Sequence, residues 1–583
     1  MSDLKSPSFI FKIPNQQEYI KTIRTLSITQ MIQPFYLFEK LKIILNEDTF
    51  SSFKSLKHIY FNENDLIELK SGSFNGQNDL NELILGSCQL DQTEKNLFSN
   101  LNQLNKLKLG FTNKFNSKLM TNLNNLIELD LIEYDPESIL YLNDLKMLQI
   151  LRIRLINVKS DYLQYLGNVK ELYIRDVETI EKYSFLNLPR LKKLDISRNH
   201  MQKLKSNIFN GLLNLIELNL EYSKFSRLGR SAFNGLTNLE RLNMSGIRVN
   251  VLHRKVFQKL KNLKYLNLKK FHALNIRFNP FKSMENIEEL HANYRTISSI
   301  KSICQQKVRI LTISCKNIEK TIQKLNRLNL LNLNELTLIS SYDKKKISMD
   351  TFDNERWEKL KKLKLSNFFG LEIDTFAFDR LIYLNHLDLS RNKLHFNQEN
   401  EDLFKYLRNL KHLNLSFNKS FDMDLKHLKN VNYINLSGID KVNIRDKMFN
   451  GLIYLEILDL SNINTRNKLL LNDLTFYGLN NLKQLILSKN NIVNLTANMF
   501  KYLINLIDLD LSGCEIETVH LDAFNGLSKL NNLNLSHNEI IEMGPNHFND
   551  LIMLKQINLF KNPFVYSKDI FNFSSNFTVN IFG

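Results

Sequence analysis

Residues 506–538 read LIDLDLSGCEIETVHLDAFNGLSKLNNLNLSHN, in which one pattern begins at Leu506 and begins again at Leu530. The apolar positions of the first copy recur 24 residues later, so that Phe524 of the first copy corresponds to Phe548 of the second. One copy cannot bury its own apolar side, because its leucines point the same way and only a neighbouring copy can cover them. The stretch therefore predicts an array of stacked repeats.

The same register can be followed through most of the chain. From an irregular first copy at Ile23 to the last copy at Leu554, the sequence contains about 23 repeats. Each LxxLxL segment alternates as a half-buried strand does, so successive segments predict a parallel sheet with its leucines turned inward. We predict an α/β solenoid, a curved leucine-rich horseshoe with a long parallel β-sheet on its concave face.

The two ends of the chain depart from this register. We expect residues 1–22 to form an N-terminal cap or non-repeat segment, residues 23–562 to form the solenoid, and residues 563–583 to form a C-terminal cap or tail. Terminal coils need caps because their apolar faces are otherwise open. The tail is rich in apolar residues, among them Phe571 and Phe573, that could fold over the last coil.

Two internal stretches are also irregular. Between residues 287 and 384 the repeat length varies and a basic run occupies residues 344–346, and a further insertion occupies residues 465–471. Irregular coils change the curvature of a solenoid or extrude a loop, and either can create a binding site. The alternative is simple drift in a tolerant array.

Two polar or aromatic side chains recur together with the leucines. Asparagine follows many strands, as at Asn199, Asn392 and Asn538, where its amide can bond backbone groups of adjacent coils. Phenylalanine stands six residues ahead of many of the following repeats, as at Phe209 and Phe524, and predicts an aromatic spine inside the convex side.

The chain has only four cysteines, too few for a disulfide framework in a protein of this length. Cys88 and Cys514 occupy the asparagine position of their repeats, so we expect both to be free, buried thiols. Cys304 and Cys315 lie off that position, and their spacing alone does not decide whether they form a bond.

The overall charge and the absence of chemical motifs bound the possible functions. The 78 Lys+Arg and 60 Asp+Glu residues give a formal net charge of +18, which suits an anionic partner but also solvates a large surface. No GxxxxGK[ST], HExxH or paired CxxC signature occurs, so we expect no enzyme, no cofactor and no metal site. His386 and His412 hold the same strand position in adjacent copies, which predicts two solvated histidines or a metal-binding or pH-sensing pair.

Short motifs recur within the repeats. Four copies contain FNGL, at Phe209, Phe233, Phe449 and Phe524, and five contain LDLS or LNLS, at Leu387, Leu413, Leu458, Leu509 and Leu533. With the 24-residue spacing, these motifs resemble the extracellular-type leucine-rich-repeat family with Phe-containing repeats, which includes Toll-like receptor, Slit and chaoptin ectodomains. The resemblance implies a receptor-like or adhesion-like binding protein without catalytic activity.

The same resemblance implies an extracellular location. The sequence as given, however, contains no apolar segment typical of a signal peptide and no run of about 18 apolar residues that could span a membrane. On the sequence alone, the compartment of the protein stays open.

The residues between the strand leucines change in character along the chain. Toward the C-terminus they are small and polar, as at Asp459 and Asp510, whereas in the middle copies they include the Tyr and Arg side chains that interface hot spots favour. Tyrosine also suits any strand surface, so these side chains could serve the sheet alone. The candidate partner-binding residues are Tyr173, Arg175, Arg198, Tyr222, Arg241, Tyr265, Lys269, His291 and Tyr294.

Two functions compete at this point. The first is recognition of a protein ligand on the concave face, and the second is a basic scaffold that binds a polyanion such as nucleic acid or sulphated glycan. A polyanion favours a continuous basic stripe. Along the strands, however, Arg152 and Arg175 are interrupted by acidic residues such as Glu171 and Asp195. The sequence therefore favours a protein ligand.

Overall fold

The computed structural model describes residues 9–10, 25–28, 42–47, 49–61, 66–90, 97–111, 117–120, 122–131, 142–276, 279–296, 307–328, 330–340, 345–353, 355–463, 468–563 and 578–580. The chain forms two compact units, Met1–Ile287 and Glu288–Gly583, called here the first and second units. Each unit is a solenoid in which parallel strands stack into a sheet and turns lead from one strand to the next. The predicted solenoid with a parallel sheet is confirmed in each unit.

The first unit has one main sheet, short strand pairs on another side of its coils and one 3₁₀ helix. The main strands are Phe9–Ile10, Thr25–Ile28, Lys42–Leu45, His58–Phe61, Leu66–Leu69, Glu82–Leu90, Lys106–Phe111, Glu128–Leu131, Ile150–Arg154, Glu171–Arg175, Lys193–Asp195, Glu217–Asn219, Arg241–Asn243 and Tyr265–Asn267. The short pairs are Asn157–Val158 with Thr179–Ile180, Lys203–Leu204 with Arg227–Leu228, and Arg248–Leu252 with His272–Ile276. The 3₁₀ helix is Ser117–Met120.

The second unit has the same organisation. Its main strands are Glu289–Asn293, Ile310–Ser314, Glu335–Ile339, Lys362–Ser366, His386–Asp388, His412–Asn414, Tyr433–Asn435, Ile457–Asp459, Gln484–Ile486, Asp508–Asp510, Asn532–Asn534, Gln556–Asn558 and Thr578–Asn580. Short strands are Lys345–Ile347, Leu371–Ile373, His395–Phe396, Ser420–Phe421, Lys441–Val442, Asn494–Leu495 and Thr518–Val519. The 3₁₀ helices are Met349–Phe352, Glu355–Trp357, Gln398–Phe404 and Pro545–Phe548, and one α-helix spans Ile318–Leu325.

The strand leucines form the core in the predicted register. Leu194 pairs with Leu172 on one side and Leu218 on the other, and all three are fully buried. Lys193 and Asp195, which flank Leu194, are half-buried on the opposite sheet face. Burial of each leucine contributes roughly 1.5–3 kcal/mol, and only the stacked neighbour makes that burial complete.

The aromatic spine is confirmed by stacked, buried phenylalanine rings in successive coils. In the first unit, Phe185 to Phe281 stack through five consecutive coils with ring centroids 5.4–6.2 Å apart. In the second unit, Phe449 to Phe548 stack in the same way at 6.0–6.5 Å. These rings therefore serve the interior, and they are not available to a partner.

The predicted asparagine contacts are also present. The buried Asn538 accepts hydrogen bonds through Oδ1 from the N–H groups of Cys514, at 2.7 Å, and Ile516, at 3.2 Å. Its Nδ2 donates to the carbonyl oxygens of Leu511 and Leu535, both at 2.9 Å. One side chain thus satisfies four backbone groups that would otherwise be buried without partners.

A second asparagine ladder was not foreseen. Asparagines one position before the first leucine of a repeat donate through Nδ2 to a carbonyl oxygen of the preceding coil. Asn214 bonds Pro189 O at 2.8 Å, and Asn505 bonds Asn480 O at 2.7 Å. These asparagines are exposed, so their bonds link neighbouring coils at the surface.

In the irregular stretch 287–384, helices supply part of the return segments. Ile318–Leu325 is amphipathic, begins at the N-cap Asn317 and buries Ile318, Thr321, Ile322 and Leu325. In the following coil Trp357 is fully buried and its Nε1 donates to Asn326 Oδ1 at 2.9 Å. The bulkier Trp and the helix replace the FxxL element whose loss marked this region in the sequence.

Several sequence expectations concern residues near or beyond the limits of the description. Cys304, residue 344, residues 465–467 and the tail phenylalanines 571 and 573 lie outside the described residues. Strand Phe9–Ile10, inside the expected non-repeat segment, pairs with Ile43 and Ile44, and Thr578–Asn580, inside the expected tail, pairs with Gln556–Asn558.

The thiols of Cys315 and Cys514 are buried and free. Cys88 lies in strand Glu82–Leu90, but its side chain is outside the description. The expectation of a free, structural thiol is therefore confirmed for Cys514 and stays a prediction for Cys88.

Candidate partner-binding surface

The side chains that alternate with the buried leucines form the outer sheet face of each unit. Five candidate residues lie within strands: Tyr173, Arg175, Arg241, Tyr265 and His291. The other four follow a strand end and lie in the turn beyond it: Arg198, Tyr222, Lys269 and Tyr294. The candidates therefore occupy two surfaces, the outer sheet face and the edge at the carboxyl ends of the strands, and not the single strand surface expected from the sequence.

Tyr173 lies between cations of the two neighbouring strands. Its ring centroid is 4.6 Å from the guanidinium carbon of Arg152 and 5.6 Å from Nζ of Lys193. Its hydroxyl donates to Glu171 Oε2 at 2.7 Å. Burial, the hydrogen bond to Glu171 and the charge of Glu171 together raise the pKa of Tyr173. The ring is thus a neutral, oriented and half-buried anchor.

The cations around Tyr173 are themselves paired with acidic residues. Arg152 forms an ion pair with Glu128, and Nζ of Lys193 lies 3.4 Å from Glu217 Oε1. Burial would lower the pKa of Lys193, but the charge of Glu217 and the contact with Tyr173 outweigh it and raise that pKa. The outer sheet face of these coils is therefore an alternation of charges and not a basic stripe.

Arg241 and Tyr265 form the clearest pair among the candidates. They are register partners on adjacent strands, and the guanidinium carbon lies 4.0 Å from the ring centroid. Arg241 is exposed and Tyr265 is half-buried. A cation–π contact at such a site is worth about 0.5–1 kcal/mol and leaves the N–H groups at the guanidinium edge free to donate.

Tyr222 is held at the edge of the sheet by the two following coils. Its backbone has a φ of 53°, and its ring lies against Gly246, where an added Cβ would come within 2.3 Å of the ring. Nζ of Lys270, from the coil beyond, lies 3.3 Å from the Tyr222 hydroxyl. The ring is 41% exposed although its position is fixed. Sequence reasoning named Lys269, whereas the lysine that contacts this tyrosine is Lys270.

The remaining candidates of the first unit are less constrained. Arg175 and Arg198 are exposed, and neither forms an ion pair with any residue in the described part of the chain. The backbone N–H of Lys269 donates to Asn267 Oδ1 at 3.0 Å. These residues line the surface around the tyrosines without being locked to them.

Two candidates belong to the second unit. Nε2 of His291 lies 2.8 Å from Glu289 Oε1 on the same strand. The ring centroid of Tyr294 lies 3.7 Å from Nζ of Lys324, which is in the last turn of the helix Ile318–Leu325. The aromatic–cation arrangement of the first unit thus recurs here with a helical lysine.

Sequence comparison identifies the repeats. Residues 27–138 and 157–288 match the BspA type leucine rich repeat region in six copies, and residues 504–564 match the leucine rich repeat. These segments cover a little over half of the chain. The chain is a leucine-rich-repeat protein.

Among solved structures, this leucine-rich-repeat protein is similar to TLR13 in its complex with ssRNA13, at 19% identity, with 93% of this chain and 90% of that chain covered and a TM-score of 0.62. It is also similar to mouse RP105 in its complex with MD-1, at 19% identity, with 89% of each chain covered and a TM-score of 0.54. At such identities the similarity establishes the fold. No curated protein matches the sequence.

Small polar residues on the outer sheet face of this leucine-rich-repeat protein have a structural role that sequence reasoning missed. Asn219 Oδ1 accepts the N–H of Glu221 at 3.1 Å, and Asp459 Oδ1 accepts the N–H of Ser461 at 2.9 Å. Asp510 makes the same bond to Ser512. An Asx residue followed two positions later by the start of a turn is the signal that could have revealed these bonds. Substitution of these residues therefore perturbs the turn as well as the surface.

His386 and His412 stand on adjacent strands as predicted, and their rings stack with centroids 4.1 Å apart. Burial lowers the pKa of both, and the positive charge of Lys362 lowers both further. Within the described residues, no group of three or more His, Cys, Asp or Glu side chains is placed to hold a metal ion. Over the same residues, no helix has the length and hydropathy needed to cross a membrane.

Proposed function

We propose that this leucine-rich-repeat protein is a receptor-like or adhesion-like binding module that recognises a protein ligand and acts by contact, without catalysis. The contact surface lies on the first unit and centres on Tyr222 and Tyr265. The observation that carries the proposal is the set of aromatic rings held by neighbouring cations, above all Arg241 at 4.0 Å from the Tyr265 ring. Rings that are oriented before binding lose little conformational freedom when a partner docks.

The charge pattern favours a protein over a polyanion. The cations nearest Tyr173 are paired within the sheet, Arg152 with Glu128 and Lys193 with Glu217, so they have little charge left for phosphate or sulfate groups. A polyanion gains its affinity from many unpaired cations in a continuous track. Protein hot spots need only a few fixed Tyr and Arg side chains surrounded by polar groups, which is what this surface offers.

The two structural neighbours illustrate both possibilities. RP105 was crystallised with MD-1 and TLR13 with an RNA. A shared scaffold does not choose between them, because leucine-rich-repeat surfaces vary independently of the fold. The paired charges of the first unit are therefore the basis for our choice of a protein ligand.

Chromatography on heparin separates the two functions. We expect the full chain to elute below physiological ionic strength, because its surface cations are largely paired. Retention to well above physiological salt would favour the polyanion and contradict the proposal. Nuclease treatment of the sample beforehand removes carried-over nucleic acid that would mask the charge of the chain.

Capture from an extract of the source organism then tests the protein ligand itself. The immobilised chain and its Tyr222→Ala/Tyr265→Ala variant are compared, and retained proteins are identified by mass spectrometry. We expect at least one protein to be retained by the wild type and lost from the variant, with the loss unaffected by nuclease. An identical set of retained proteins on both matrices would contradict the proposal.

A further inference from the structure

The edge of the second unit carries a cluster of two exposed phenylalanines and two cations, Phe369, Arg391, Lys393 and Phe417, called here the 369–417 cluster. The side chains project from the turns that follow the strands Lys362–Ser366, His386–Asp388 and His412–Asn414. Phe369 is 57% exposed and Phe417 is 43% exposed. Large aromatic side chains with this exposure are unusual on a turn and call for a physical explanation.

Each exposed ring is covered by a cation from an adjacent coil. Nζ of Lys393 lies 3.3 Å from the centroid of Phe369, and the guanidinium carbon of Arg391 lies 4.0 Å from the centroid of Phe417. On its other side Phe417 lies against Gly438, where an added Cβ would come within 2.6 Å of the ring. The Phe417 ring therefore has little free face, and its role is to hold the guanidinium.

The backbone fixes these side chains further. Arg391, Lys393 and Phe417 have φ values of 62°, 57° and 56°, a conformation that directs them out of the coil. Between the two cations, the buried Asn392 donates to Leu365 O at 2.6 Å and to Leu389 O at 2.8 Å. The turn is thus locked to two strands, so the cluster is arranged before any partner arrives.

The two cations of the cluster are not neutralised. Among the described residues neither Arg391 nor Lys393 forms an ion pair, whereas the adjacent Lys419 lies 2.5 Å from Asp440. A guanidinium stacked through its face keeps the N–H groups of its edge available as a fork that matches a carboxylate. The cluster therefore offers two fixed, unpaired cations on an aromatic base.

We propose that the 369–417 cluster docks an acidic segment of a partner protein, whose carboxylates accept hydrogen bonds from Arg391 and Lys393. This surface belongs to the second unit and rests on contacts independent of those in the first unit. Its occupant follows from charge complementarity, since exposed cations on apolar rings favour carboxylates that become partly desolvated on binding.

A single-stranded nucleic acid fits this cluster less well. Base stacking needs open ring faces beside a continuous cationic track. Here the rings are covered by Arg391, Lys393 and Gly438, and the track ends where Lys419 is paired with Asp440. Two isolated cations match a short acidic peptide better than a long polyanion.

Fluorescence anisotropy with a labelled octaglutamate peptide tests the inference on the full chain. We expect the Arg391→Gln/Lys393→Gln variant to bind the peptide about tenfold or more weakly than the wild type. Arg391→Lys keeps the charge but loses the planar fork, so it should lie between the two. Thermal unfolding of each variant checks that the solenoid is intact.

The matched control removes the same charge elsewhere in the second unit. Arg445→Gln/Lys447→Gln also changes an Arg and a Lys two residues apart, and Lys447 likewise has a positive φ, 57°, and a tyrosine ring 5.1 Å away. We expect this variant to bind the peptide within roughly twofold of the wild type. Equal losses in both variants would reduce the effect to net charge and overturn the proposal. Tighter binding of an oligouridylate than of octaglutamate, lost in the Arg391/Lys393 variant, would also overturn it.

Discussion

The imidazole of His386 lies flat on that of His412, with centroids 4.1 Å apart and ring planes inclined by 12°. Lys362 precedes His386 in the same row of register partners, and Tyr433 follows His412 with its ring 5.8 Å away. Asn385 Oδ1 lies 2.6 Å from His386 Nδ1. No carboxylate among these neighbours favours a protonated imidazole, so the pair is adapted to the neutral form.

This arrangement predicts a pH dependence of stability. The pKa of each histidine is lowered from 6.5, chiefly by burial. As pH falls below about 6.5, the unfolded chain therefore binds protons that the folded chain does not, and folding stability decreases until the lower folded pKa is passed. Melting temperatures measured from about pH 8 to pH 5 should decline less steeply for His386→Gln/His412→Gln than for the wild type. Parallel curves would show that the pair does not contribute.

A core substitution tests the register. Leu509 is 2% exposed, between Leu485 and Leu533 of the adjacent strands. Leu509→Ala should lower the free energy of unfolding by about 2–5 kcal/mol through lost transfer energy and a cavity, as measured by denaturant titration. The exposed Ile504 provides a control, since Ile504→Ala should change stability by less than roughly 0.5 kcal/mol. A loss at Leu509 as small as that of the control would mean that the register is wrong.

The two asparagine ladders should differ in energy. Asn538→Ala leaves buried backbone groups of Cys514 and Leu511 without a partner, which should cost on the order of 1–3 kcal/mol of unfolding free energy. Asn505→Ala removes an exposed bond to Asn480 O that water can replace, so its cost should stay below about 1 kcal/mol. Denaturant titrations of both variants measure the difference, and the reverse order would contradict the assignment.

The buried thiols should be unreactive in the folded protein. Burial raises the pKa of Cys315 and Cys514 to about 12, and Cys514 Sγ also contacts Leu487 O at 3.1 Å. Neither should react with a disulfide reagent at about pH 8 before unfolding, because almost no thiolate is present there. Mass mapping after labelling under denaturing, non-reducing conditions should then find both modified, together with Cys88. A disulfide involving Cys88 or Cys514 would contradict the account.

Much of the fold was predictable because apolar periodicity directly reports burial. Leu194, Phe209 and Asn538 all occupy the core positions that their spacing indicated. Residues 287–384 were less predictable, because the helix Ile318–Leu325 and the buried Trp357 replace an element that only the repeat pattern defines. Tertiary packing, and not local preference, determines that choice.

The candidate surface was predictable only in outline. Strand alternation correctly placed Arg241 and Tyr265 on the outer face, and it placed them beside each other. It did not reveal that Tyr222 lies in a turn with positive φ, or that Lys270 reaches it from two coils away. Such contacts depend on turn geometry and side-chain reach, which a repeat pattern does not encode.

The central claim is that a protein ligand binds the tyrosine-bearing surface of the first unit. Interferometry with a captured partner tests it most directly, comparing Tyr222→Ala/Tyr265→Ala with Asp459→Asn/Asp510→Asn, a control in the second unit that keeps the turn-forming acceptor oxygens. We predict that the tyrosine pair weakens binding by about 2 kcal/mol or more while the aspartate pair leaves it within about 0.5 kcal/mol. A greater loss from the aspartate pair than from the tyrosine pair would contradict the claim.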